Sequence, residues 1–182
     1  MTRVVLIFGL LAGLIISALV WMTAALAERD LIRFERLEVV GYASMIIALS
    51  MVFFGIKSYR DNQGKGQLSF WKGVQVGALI SVIAGGMYFV GALSYGIVSP
   101  GFEDTFMRKF TELKVSQLQA QGASQAEIEK RTAEVETMRV LFKNPVLFFL
   151  VCMMEILPVG LIVTLISAAL LRKRELLVAQ PA

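Results

Sequence analysis

The sequence predicts an all-α, polytopic membrane protein in a single domain, residues 1–182. It has four transmembrane helices, with an extramembrane helical hairpin between the third and the fourth. Three observations predict this class. Charge is segregated: residues 4–27, 39–56, 73–102 and 144–171 hold one charged side chain, Glu155, in 100 positions, and the other 82 residues hold the remaining 31. Helices of a soluble domain need a polar face toward water and cannot be this uniformly apolar. Apolar residues make up 57% of the chain, above the roughly 45–50% of soluble domains. Finally, the uncharged runs are long enough, since about 20 residues at about 1.5 Å each cross the hydrocarbon layer. They do not alternate apolar with polar residues as barrel strands do.

The first span, 4–27, opens after Arg3 and carries Trp21 near its far end, where aromatic rings suit the membrane interface. Arg3, the apolar run and Ala25-Leu26-Ala27 have the look of a secretory leader. The run exceeds the roughly 7–15 residues of such leaders, so a retained membrane helix is expected. Residues 28–38 mix both charges with apolar side chains and read as a short surface link. The second span, 39–58, runs into Lys57-Ser58-Tyr59-Arg60-Asp61 and then the turn Asn62-Gln63-Gly64-Lys65-Gly66, where glycine supplies positive φ. Ser69 suits the N-cap of the third span, 70–98. Ser99-Pro100-Gly101 then breaks the helix.

Residues 102–143 form the hairpin. Its first arm, 102–120, places Phe102, Phe106, Phe110 and Leu113 on one stripe, and Gly122 ends it. Ser124 and Glu127 form a capping box for the second arm, 125–143, whose stripe is Ile128, Thr132, Val135, Met138 and Phe142. The two stripes either close on each other or offer a docking surface to a partner. Asn144-Pro145 opens the fourth span, 145–171, with proline in the first turn, where its missing N–H is harmless.

Composition narrows the chemistry. The chain has no histidine, which removes the commonest general base and metal ligand. Neither a metal, a cofactor nor a nucleophile–base set is expected, and the chain is not expected to be an enzyme. The single cysteine, Cys152, rules out an intramolecular disulfide. The net charge of +4 sits at the membrane edges rather than in a nucleic-acid-binding patch. Eight basic residues (Arg3, Lys57, Arg60, Lys65, Lys72, Arg172, Lys173 and Arg174) share one side with two acidic ones. The positive-inside rule therefore puts both termini in the cytoplasm and 99–144 on the periplasmic side of a bacterial inner membrane.

Small residues recur every four positions: Gly9, Gly13 and Ser17 in the first span, Gly73, Gly77, Ser81 and Gly85 in the third, and Gly160 in the fourth. Such stripes let helix backbones approach closely in lipid. Glu155 is the one charge inside a span, about 16 Å along the helix from Asn144. Carboxylates at that depth cost about 2.5–3.5 kcal/mol on insertion scales and turn toward the bundle interior or a wet cavity. The hydroxyls of Tyr88, Ser44 and Ser50 are its candidate partners, and Pro158, one turn later, invites a kink. Glu155 is then either a structural hydrogen-bonding group or a proton- or cation-binding site. Lys57, Tyr59, Arg60 and Lys72 read as snorkelling anchors or as a site for anionic headgroups.

Three stretches carry a family resemblance. They are Gly41-Tyr42-Ala43-Ser44-Met45 with Phe53-Phe54-Gly55-Ile56-Lys57-Ser58-Tyr59-Arg60-Asp61; Ser69-Phe70-Trp71-Lys72-Gly73; and Asn144-Pro145 with Glu155-Ile156-Leu157-Pro158-Val159-Gly160. Together they resemble a bacterial membrane family designated domain of unknown function 4199. The resemblance implies a four-span inner-membrane protein and brings no catalytic residues. The leading functional expectation is a non-enzymatic accessory or assembly protein that binds a membrane partner. The alternative is a small transporter, acting as a homo-oligomer in the lipid bilayer, with Glu155 as its coupling site.

Overall fold

The computed structural model describes residues 1–172 and is all-helical across them. Lys173 and Arg174, which contribute to the charge asymmetry, lie outside the described residues. Four long helices, α1 (Thr2–Glu28), α2 (Leu37–Asn62), α3 (Phe70–Val98) and α6 (Pro145–Leu171), are long and apolar enough to cross a membrane. Two shorter ones, α4 (Phe102–Ala120) and α5 (Gln125–Lys143), connect α3 to α6. A short 3-10 turn, Phe34–Arg36, precedes α2.

Local chemistry fixes the ends. The Ser69 hydroxyl accepts from the backbone N–H of Lys72, which caps α3. Asn144 accepts from Val146 and Leu147 at the start of α6, with Pro145 in the first turn. Ser124 and Glu127 make the reciprocal capping box of α5. Gly101 and Gly122 sit at φ 90° and 73°, a region that a Cβ disfavours, Gly101 at the N-cap of α4 and Gly122 in the turn between α4 and α5. Helix α2 extends to Asn62, so the charged cluster at 57–61 ends the apolar stretch without ending the helix. Helix α6 is continuous through Pro158, which is exposed.

In the bundle, α1 packs on α2 and α3, and α6 packs on α3 and α2. The fully enclosed centre is Ala12, Ile16, Ala48, Leu49, Val52, Ile56, Val76, Ile80, Ala84 and Ile156. The outward faces stay apolar: Leu14, Ile46, Ile162 and Leu170 are more than half exposed. A belt of this kind is what a helix turned toward lipid presents. The chain termini and the 63–69 connection share one end, where the α-amino group of Met1 bonds the Gln63 side chain. At the opposite end α4 and α5 lie side by side, antiparallel, with Arg139 of α5 2.7 Å from Asp104 of α4.

Candidate functional site

The α3–α6 seam sets the geometry of the site. A Cβ on Gly73 would stand 3.0 Å from Ala168, one on Gly77 2.6 Å from Thr164, and one on Gly85 2.8 Å from Ile156. Between them, a Cβ on Gly160 would stand 2.7 Å from the Ser81 hydroxyl. Each four-residue step forward in α3 is a four-residue step back in α6, so the two helices are antiparallel and in contact along about three turns. Continued in this register, Tyr88 falls opposite Met153, two residues from Glu155 and within reach of its side chain. The Tyr88 hydroxyl donates to Glu155 Oε2 at 2.8 Å.

Beyond this pair the bundle opens. A cavity of about 930 Å³ reaches from Glu155 and Tyr88 toward α4 and α5. Ile16 and Val20 of α1, Met45 of α2, Ala92 of α3 and Phe148 of α6 line its walls. Its roof carries Phe102, Phe106 and Phe110, the α4 stripe. Phe106 also packs on Phe34, and Phe102 on Tyr95, at centroid distances of 5.1 and 4.8 Å. The α4 stripe is thus turned onto the mouth of the bundle. Glu38, Tyr42 and Glu155 line the cavity and are exposed as well, which gives it an opening between α2 and α6. At the termini end the seam closes the bundle, with Ile56, Leu68 and Leu171 buried there.

The sequence-selected residues divide. Ser44 is buried and lines the cavity with Tyr88 and Glu155. Ser50 does not join them, and its hydroxyl donates to the Ile47 carbonyl of its own helix at 2.7 Å. Six residues of helix turn Ser50 about 120° away from Ser44, onto another face. Pro158 lies outside the cavity lining. The small residues all lie against neighbouring helices of the same chain. A Cβ on Gly9 would meet Ile83, one on Gly13 would meet Met87, and Gly91 leaves room for Ser17. Ser17 also donates to the Met87 carbonyl at 2.9 Å. Near the termini end, Arg60 pairs with Asp61 at 2.7 Å and Tyr59 packs against the core, while Lys57 and Lys72 are exposed.

Trp21, near the far end of α1, ties that helix to α3. Its indole N–H donates to the Gly91 carbonyl at 3.0 Å and its ring meets Tyr95 edge-on, because the close α1–α3 approach puts acceptors within its reach. Sequence reasoning also passed over Glu28, which accepts from Tyr95 at 2.7 Å and from Ser99. It missed Glu38, Tyr42 and Glu103 as cavity residues. The signal for Glu28 and Tyr95 was their common level at the ends of two parallel helices, and this depends on knowing that α1 and α3 are neighbours.

Fold and cavity together define a class: a four-span helical membrane protein with a cavity, open between α2 and α6, beneath a pair of connecting helices. Within that class the chain belongs to the family described as Protein of unknown function (DUF4199), whose model matches residues 7–173. No curated protein and no solved structure matches it.

Proposed function

We propose that this chain is a non-enzymatic protein of the bacterial inner membrane that binds a small molecule in the cavity, on the way to transporting it. Both termini lie in the cytoplasm, and α4 and α5 form a periplasmic roof. The observation that carries this reading is the position of Glu155. It is paired to Tyr88 on the wall of a cavity of about 930 Å³ that is closed toward the termini. Small-molecule sites typically enclose about 300–1,000 Å³, with mostly apolar walls and a few convergent polar groups. The accessory-protein role has less support, because the α4 stripe faces this cavity rather than offering a free docking face. Four spans leave little room for a full pathway, so the partners of a transport cycle are the bilayer and a second copy of the chain.

The test is gentle purification from native membranes, followed by extraction and mass spectrometry of bound small molecules. Gly41 lines the cavity and a Cβ there would meet no atom within 4 Å, so Gly41→Trp adds bulk to the cavity wall from an unobstructed Cβ. The expected result is a stoichiometric small molecule on the wild-type protein and none on the variant. A tightly bound second protein, with no small molecule on either form, would restore the accessory role.

A further inference from the structure

The charges on the cavity wall do not balance, and their placement defines a ligand class. Five carboxylates line it: Glu35, Glu38, Glu103, Asp104 and Glu155. Three cations do so, Lys114, Arg131 and Lys143. Some of these are occupied within the protein. Asp104 pairs with Arg139 at 2.7 Å, Arg131 with Glu134 at 2.6 Å, and Glu35 lies 3.9 Å from Arg33. Glu38, Glu103 and Glu155 have no cationic partner among the described residues.

The remaining cations of the wall, Lys114 and Lys143, make no ion pair among the described residues. Lys114 lies 5.4 Å from the centroid of the Phe110 ring and also lines a second recess toward the α4–α5 turn. Lys143 precedes α6, about three helical turns from Glu155 and at the same end of the bundle as Glu38. Three carboxylates of the wall are thus without an ion-pair partner against two such cations, so its unpaired charge is net negative. One carboxylate oxygen, Glu103 Oε1, is buried without a hydrogen-bond donor. A buried acceptor of that kind costs free energy until a donor or a cation reaches it.

We infer that the cavity takes a hydrophobic organic cation, an ammonium or phosphonium group carried on an apolar or aromatic body. Each part of the wall matches a part of such a ligand. The carboxylates meet the charge, and Tyr42, Tyr88 and Phe102 put aromatic rings, which attract cations through their quadrupoles, on the same wall. Phe106, Phe148 and Met45 suit the apolar body. A bare metal ion or a proton would leave nearly all of the volume unfilled, and an anionic amphiphile would meet the unpaired carboxylates. This ligand class presupposes the cavity-binding role proposed above.

The test uses the full-length protein in nanodiscs and two probes of one shape and opposite charge, tetraphenylphosphonium and tetraphenylborate, with binding read by equilibrium dialysis. Tetraphenylphosphonium is expected to bind saturably, and tetraphenylborate is not. Glu155→Gln, which keeps an acceptor for Tyr88, is expected to weaken phosphonium binding at least tenfold with the fold unchanged by circular dichroism. Glu103→Gln is expected to weaken it several-fold, and Gly41→Trp to abolish it. Equal or tighter binding of tetraphenylborate, lost in Gly41→Trp, would overturn the cationic class and leave the cavity role standing. Phosphonium binding unchanged in both Glu155→Gln and Gly41→Trp would place the probe elsewhere and overturn the inference. Absence of binding by either probe, together with no co-purified small molecule, would remove both proposals.

Discussion

Glu155 and Trp21 show how one side chain takes its meaning from its neighbours. Glu155 meets Tyr88 rather than the serine hydroxyls of α2 because the α3–α6 register sets Tyr88 beside it. Trp21 donates to both the Gly91 carbonyl and the Ser94 hydroxyl, at 3.0 and 3.1 Å. Trp21→Phe keeps a ring and removes both bonds. It is expected to destabilise the bundle by about 0.5–1.5 kcal/mol, measured by reversible unfolding in mixed micelles. A variant as stable as the wild type would mean that the indole N–H contributes nothing to the α1–α3 contact.

The seams between helices are made by absence of side chain. Gly77 faces the β-branched Thr164, whose rotamer has little freedom to yield. Gly77→Ala is therefore expected to cost about 1–3 kcal/mol through overpacking. Gly86 lies in the same helix with nothing within 4 Å of a would-be Cβ, so Gly86→Ala is expected to be neutral or mildly stabilising. Equal effects of the two in one unfolding assay would deny the seam its steric basis.

Helix α5 depends on a different device. The backbone N–H and hydroxyl of Ser124 both bond the Glu127 carboxylate and hold its pKa below the usual glutamate range. A group whose pKa is lowered by folding contributes stability above its ordinary pKa, and that contribution is lost as pH falls through the lowered value. Helicity of α5, read by circular dichroism, is expected to show an acid step below the usual carboxylate range. Glu127→Gln removes the titrating group, and its acid profile is expected to lack that step.

At the scale of the whole molecule, the two ends of the bundle differ. Close-packed seams shut the termini end, and the opposite end holds the cavity beneath α4 and α5. If α4 and α5 lie outside the cell membrane, Gln121→Cys should react with a membrane-impermeant maleimide in spheroplasts. Cys152 is buried and gives a low background. Labelling that needs disrupted membranes would invert the orientation and place the cavity on the cytoplasmic side.

The sequence by itself determined the class, the four long apolar helices, the breaks at Gly101 and Gly122, the caps at Ser69 and Ser124, and the start of the fourth span at Asn144-Pro145. Each of these rests on chemistry within a few residues: the apolar length needed to cross lipid, a hydroxyl reaching an N–H three positions on, and a backbone angle that favours glycine. It also singled out Glu155, because one charge among 100 positions is conspicuous before any folding is known. Only the tertiary structure decided what Glu155 faces, that Trp21 turns inward, that Ser50 turns away, and that Glu38 and Glu103 join the same cavity. These depend on which helices are neighbours and in what register. In lipid, that choice is made by close packing of small residues rather than by the hydrophobic pattern, which is nearly uniform along every span.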